Sequence, residues 1–148
     1  MVSSEKNFIM KAYISISFNR RQAMDNELKT IKAALTKLRI DPFVFVDNYN
    51  FDITQEQKMM KQATADIDKC DILIAETSDK GIGIGIEVGY AKAKRKPIIY
   101  LRHKTAEHST TVSGISDFQI IYENLSDLQE QLENTIVKAI ASNDTNYL

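Results

Sequence analysis

The run Cys70-Asp71-Ile72-Leu73-Ile74-Ala75, then Gly81-Ile82-Gly83-Ile84-Gly85-Ile86-Glu87-Val88-Gly89-Tyr90-Ala91, then Lys96-Pro97-Ile98-Ile99-Tyr100-Leu101, decides the fold. Asp71–Ala75 is a short run with no polar side, which suits a strand covered on both faces in a parallel sheet. The glycine-rich stretch opens a helix, expected over about Gly85–Arg95, and Pro97–Leu101 reads as the next strand. Strand, helix, strand in that order is a βαβ unit.

The pattern repeats in both directions. Phe8–Phe18 reads as the first strand, with Tyr13, Ile14 and Ile16 in it. Met24, Leu28, Ile31, Leu35 and Leu38 then recur at helical spacing, so a helix is expected from about Arg20 to Arg39. Asp41-Pro42 should end it, because proline disfavours helix at the residue before it. Phe43–Val46 is a second strand running into the polar Asp47-Asn48-Tyr49-Asn50. Thr54-Gln55-Glu56-Gln57 has the form of a capping box, predicting a helix to about Lys69. After the fourth strand a polar segment, Arg102–Asp117, leads to a fifth strand at Phe118–Tyr122. Ser126–Gln129 is a second capping box, and Leu128, Leu132, Ile136 and Ile140 stripe the last helix. Residues 1–7 and 142–148 are expected to be frayed tails of one domain spanning 1–148.

The expected architecture is therefore α/β: a single Rossmann-like or flavodoxin-like domain, with about five parallel strands and helices on both faces. Ligands of such sheets bind beyond the carboxyl ends of the strands, where strand order reverses. The loops at Phe18–Arg21, Asp47–Asn50, Glu76–Gly85 and Arg102–Ser113 gather there.

Composition narrows the function classes. The chain has 148 residues, 19 Lys+Arg against 20 Asp+Glu, and a formal net charge of −1, so no long-range field draws it to nucleic acid or an anionic membrane. One cysteine, Cys70, makes no internal disulfide, and two histidines give little material for a structural metal. No apolar run is long enough to span a bilayer, and Met1–Asn7 is polar rather than a signal peptide. A cytoplasmic location is expected, with no metal and no organic cofactor. Cys70 reads as a packed thiol, and His103 and His108 as surface histidines in a polar loop.

Of the five glycines, four (Gly81, Gly83, Gly85, Gly89) fall in one short segment. Backbone amides at such a helix start can cradle an anion, and glycine lets a ligand approach closely. No Gly-Lys-Ser/Thr follows, so this is not a phosphate loop, and the dinucleotide fingerprint is out of register. Glu87 falls in the expected first helical turn, where the helix dipole favours its ionised form. The residues alone leave two readings: a dipole-stabilising acid, or a carboxylate nucleophile aimed at a substrate on the glycine loop.

The segment from Cys70 to Ile98 resembles the nucleoside 2-deoxyribosyltransferase family, which includes the 2′-deoxynucleoside 5′-monophosphate N-glycosidases. The likeness covers roughly residues 8–135 in element order and is specific mainly over 70–98, where Asp71 and Glu87 keep the family's separation. It implies that Glu87 attacks the anomeric carbon of the sugar, displaces the base and leaves a glycosyl ester, as in retaining glycoside hydrolysis. It also implies a sugar and phosphate pocket at the first loop, with Tyr13, Ser15, Ser17, Asn19, Arg20 and Arg21 as candidate contacts. Asp47 and the glycines Gly81, Gly83 and Gly85 join that set. Ser109 matches a serine that, in the nucleotide-hydrolysing branch, reaches into the neighbouring subunit's site to bind phosphate. A homodimer or larger homo-oligomer is implied. Tyr13 either walls the pocket or fills core.

Two departures stand out. The family's aspartate on the helix before the third strand, which helps the base depart, is Ala63 here. Asp66 follows one turn later, about 60° away round the helix, and its ordinary reading is an exposed helix acid. The family's serine or aspartate ahead of the Gly-x-Gly is Gly81. Two other functions follow as alternatives: a TIR-like NAD glycohydrolase, suggested by Ala12-Tyr13-Ile14-Ser15-Ile16-Ser17, and a non-catalytic nucleotide-binding module, suggested by Ala63.

Overall fold

The computed structural model describes residues 7–145. Five strands, β1 (Met10–Ile16), β2 (Ile40–Val44), β3 (Ile72–Glu76), β4 (Ile98–His103) and β5 (Phe118–Tyr122), form one all-parallel sheet in the order β2-β1-β3-β4-β5. This is the flavodoxin-like order, whose reversal of direction lies between β1 and β3. Helices α1 (Asp25–Lys37), α2 (Phe45–Asn48), α3 (Glu56–Asp68), α4 (Ile82–Ala93), α5 (Thr110–Ile115) and α6 (Leu125–Thr145) follow in turn.

Alternation along the strands divides the core in two. Ala12, Ile14, Ile72, Ile74, Ile99 and Leu101 point to one face and pack on Leu28, Ile31 and Leu35 of α1 and Leu128, Leu132 and Ile136 of α6. Tyr13, Leu73, Ala75, Ile98 and Tyr100 point to the other, against Ile67, Ile84, Val88 and Val112 of α3, α4 and α5. Every residue of β3 is buried, which is why Ile72–Ala75 has no polar side; Glu76 ends the strand as a buried acid.

Several boundaries differ from the expectation. The first helix ends at Lys37 rather than at Pro42. Arg39, with φ 63, takes the left-handed turn there, and Pro42 lies inside β2. A proline is tolerated because β2 is an edge strand. The first capping box is Asp52 with Gln55: Asp52 accepts the Thr54 N–H at 2.8 Å and donates its own N–H to Gln55 at 3.1 Å. The last helix is capped by Asn124, which accepts the Asp127 N–H at 2.8 Å, while Asp127 accepts the Glu123 N–H at 2.9 Å. The polar segment after β4 contains α5, a helix of poor helix formers held by burial of Val112. α6 runs on through 142–145 where a tail was expected, and the remainder of the expected tails, 1–6 and 146–148, lies outside the described residues.

The correction that matters most concerns α4. It starts at Ile82 with Gly81 as N-cap, so Glu87 lies in its second turn and the first turn holds no acid. Glycine and β-branched residues are weak helix formers, but burial of Ile84, Val88 and Ala91 on one stripe outweighs propensity.

Candidate active site

Tyr13, Ser15 and Ser17 alternate onto one face of the sheet and end at the crevice between β1 and β3. Glu87, next to the buried stripe of α4, meets them. The Tyr13 hydroxyl donates to Oε2 of Glu87, and the Ser15 hydroxyl donates to Oε1 at 3.2 Å. Tyr13 is wholly buried and Ser15 is 1% exposed, so both hold the carboxylate from behind rather than walling a pocket. Burial raises the Glu87 pKa to about 7, and the two hydroxyl donors pull the other way. The same burial, with the Glu87 charge beside it, pushes the Tyr13 phenol far upward, which keeps it a proton donor. Glu87 is thus tuned by desolvation, not by the helix dipole.

In front of Glu87 lies a cavity of about 320 Å³. Its walls are aromatic and apolar: Phe45, Tyr49 and Phe51, with Met59, Met60 and Ala63 of α3. Phe45 and Phe51 stack at 6.2 Å, and Tyr49 and Phe51 at 5.5 Å. Ser17, Asn19 and Asn50 supply polar edges, and Gly81 and Gly83 the side toward α4. Ser17 also donates to Asp79 at 2.7 Å, tying the loop after β1 to the loop after β3. The aromatic wall escaped the sequence reading, although Phe43-x-Phe45-x-x-x-Tyr49-x-Phe51 is a visible cluster.

A second cavity of about 410 Å³ shares Gly81, Ile82 and Ile84 with the first. It carries Thr77, Asp79, Lys80, Gly85, His108 and Ser109. The Ser109 N–H donates to the Tyr100 hydroxyl at 3.1 Å, fixing the start of α5. A Cβ at Gly83, Gly85 or Gly89 would meet nothing within 4 Å, and no glycine has positive φ. A side chain at 83 or 85 would thus enter open space rather than the protein's own packing.

The arginines are placed elsewhere. Arg21 donates to Asp47 at 2.5 and 2.8 Å and to Asp25 at 2.5 Å, so Asp47 and Arg21 occupy each other. Arg20 lines a different cavity with Glu27, Ser78, His103 and Tyr122. Beneath it is a second buried acid, Glu76, 1% exposed, which accepts from the Tyr122 hydroxyl at 2.7 Å and the Ser78 N–H at 2.5 Å. Burial raises its pKa too. Cys70 is packed, and burial pushes its thiol up to about 12. Asp66, expected to be exposed, is only 8% exposed.

Among the described residues, no cluster of three or more His, Cys, Asp or Glu side chains could hold a metal ion, and no helix is long and apolar enough to cross a membrane.

Comparisons with known proteins bear on the family and the fold. A curated relative from Syntrophotalea carbinolica, provisionally named as a 2′-deoxynucleoside 5′-phosphate N-hydrolase, is 39% identical over 75 residues, 49% of this chain and 53% of that protein. The match thus spans about half the length of each. The solved CMP N-glycosidase of Clostridium botulinum superposes with a TM-score of 0.57 at 21% identity, over 83% of this chain and 98% of that one. The 2-deoxyribosyltransferase of Bacillus psychrosaccharolyticus gives 0.62 at 17% identity, over 80% and 90%. Both share the fold. The pattern of the nucleoside 2-deoxyribosyltransferase family matches residues 13–146, and the chain belongs to that family.

Proposed function

We propose that this protein cleaves the N-glycosidic bond of a nucleoside 5′-monophosphate, with Glu87 as nucleophile. The observation that carries the proposal is the placement of Glu87: a carboxylate gripped from behind by Tyr13 and Ser15, at the end of an aromatic cavity, beside a second cavity bearing Lys80 and Ser109. The base stacks on Phe45, Tyr49 and Phe51. The phosphate lies toward the start of α4 and Lys80, which exchanges its exposed ion pair with Glu107 for it.

In the first step a Glu87 oxygen bonds to C1′ and the C–N pair leaves with the base. Ala63 offers no proton there, so the base takes one from water in the open cavity. In the second step water adds to C1′ of the glycosyl ester, the C–O bond to Glu87 breaks, and the water's proton passes to solvent. A second base in place of water gives transfer instead. The active unit is a homodimer or larger, in which a neighbour's Ser109 reaches the phosphate. The strongly exposed Phe18 and Ile82, which line the cavities, support a covering neighbour.

The test is base release, followed by liquid chromatography, from nucleosides, ribo- and deoxynucleoside 5′-monophosphates and NAD. Release from the monophosphates, abolished by Glu87→Gln, is expected. Release from NAD alone would favour the TIR-like reading, to which the family match lends no support. A second reading rests on Ala63 itself, which puts a methyl in the cavity wall where the family has an acid. On that reading the protein binds nucleotide without cleaving it, and ligands raise its Tm while no base appears. Sedimentation beside turnover tests the assembly: an active monomer would dispose of a Ser109 supplied by a neighbour.

A further inference from the structure

The cavity in front of Glu87 is marked by what its walls omit. Among the described residues that line it there is no lysine, arginine or histidine, and Glu87 is the one carboxyl group. The remaining polar edges are the Ser17 and Tyr49 hydroxyls and the amides of Asn19 and Asn50. Phe45, Tyr49 and Phe51 make a wall of rings whose centres lie 5.0 to 6.2 Å apart. Met59 and Met60 add polarisable thioethers. Aromatic faces and a carboxylate, with no cation among them, attract positive charge.

The same inventory limits the leaving group. Cleavage needs Glu87 as a carboxylate, so Glu87 cannot protonate the departing base in that step. The Ser17 proton is committed to Asp79 at 2.7 Å. The Tyr49 phenol, raised in pKa chiefly by burial, is a weaker acid than usual. Ala63, on the α3 side, has no proton to give. An ordinary base therefore departs with the bonding pair on its nitrogen and only water to protonate it. A ring that is already cationic takes up that pair, loses its charge and leaves neutral, with no proton required. Beside Glu87, such a charge also favours the ionised nucleophile against the burial that favours its protonated form. We propose that the cavity takes nucleotides whose base bears a fixed positive charge on its ring, an N-alkylated purine or a pyridinium. This rests on the reading that the aromatic cavity holds the base and Glu87 attacks C1′. Glu87 bonds to C1′ as the C–N pair neutralises the ring. Water then displaces the sugar from the ester and gives one proton to solvent.

The test begins with calorimetric binding to the Glu87→Gln protein, which separates recognition from the intrinsic lability of charged bases. The pairs are 7-methylguanosine 5′-monophosphate with GMP, and nicotinamide mononucleotide with its reduced, uncharged form. The cationic member of at least one pair is expected to bind roughly threefold to thirtyfold tighter. A preference confined to one pair assigns the source, alkylated purine or pyridinium. Adding Phe51→Leu or Phe45→Leu keeps the wall apolar and should bring the ratio toward unity. Two sites are used so that misfolding of one variant leaves the other to decide. Equal binding within both pairs, tighter binding of the neutral members, a ratio that survives both ring removals, or no binding of any nucleotide overturns the proposal. Base release by wild-type protein from ordinary monophosphates, with no preference for charge, would overturn this selection and leave the glycosidase reading standing. A preference in binding with no release from any nucleotide would do the reverse.

Discussion

Replacing Glu87 with glutamine is expected to stabilise the fold at pH 8 and to change little at pH 4.5. The carboxyl is lifted from 4.5 to about 7 because its charged form is poorly solvated where α4 meets β1. At about 1.4 kcal/mol per pKa unit, that displacement amounts to about 3 kcal/mol. Below pH 4.5 the group is protonated in both the folded and the unfolded chain, and no penalty exists. Between 4.5 and 7 the folded chain holds a proton that the unfolded chain has released, so stability falls as pH rises, and above 7 the full penalty applies. Glutamine mimics the protonated form at every pH. The stability difference between variant and wild type should therefore grow from near zero to about 3 kcal/mol across that window, or about 6–12 °C in Tm for a domain of this size. Glu76 also titrates upward, but it is present in both proteins and cancels in the difference. Urea unfolding at four pH values from 4.5 to 8 measures it. A difference that is flat with pH, or a variant less stable at pH 8, would refute the idea that desolvation sets the state of Glu87.

The same group governs rate: if ionised Glu87 is the nucleophile, kcat/KM for base release should climb with pH and level off above about 7, as a pH-rate profile would show. Tyr13→Phe removes a donor that opposes the burial effect, so that limb should move about one to two units toward alkaline pH. Gly89→Ala should raise stability by about 1 kcal/mol with activity intact, since its φ is helical and its Cβ is free of contacts. Gly83→Ala should gain similarly in thermal melts but lose substrate affinity, because Gly83 faces the cavity. Arg21→Ala should leave KM for a monophosphate within about twofold, its guanidinium being committed to Asp47 and Asp25. Ser109→Ala should raise KM for a monophosphate and not for the matching nucleoside, in steady-state assays of both.

The strands and their parallel order were readable because burial on both faces leaves runs such as Ile72-Leu73-Ile74-Ala75 without polar alternation. Glu87 was singled out by its place after β3, yet its surroundings were not readable. Its helix begins at Ile82, among residues whose local preference is not helical, and the misplaced start put an interior acid at a helix end. The arginines of the first loop looked free in sequence. They are not both so: Asp25 lies one helical turn from Arg21, and Asp47 comes from an element that only the folded chain brings to it. Asp66 reads as exposed from its angle to Ala63, but the buried side of α3 is wide enough to take in Ala63, Asp66 and Ile67 together. The aromatic wall depends on α2 turning Phe45 and Tyr49 back over β1, a turn hidden in residues that read as the end of a strand.

Glu76 and Glu87 lie on opposite faces of the sheet, each accepting from a tyrosine hydroxyl and each pushed toward retaining its proton. Glu87, lifted to about 7, makes the folded molecule less negative near its isoelectric point than its composition implies, and the shift of Glu76 acts in the same direction. Native isoelectric focusing should place it at a higher pH than focusing in urea, where both carboxyls return to ordinary acidity. The gap between the two bands reports protons that folding holds, and Glu87→Gln should narrow it.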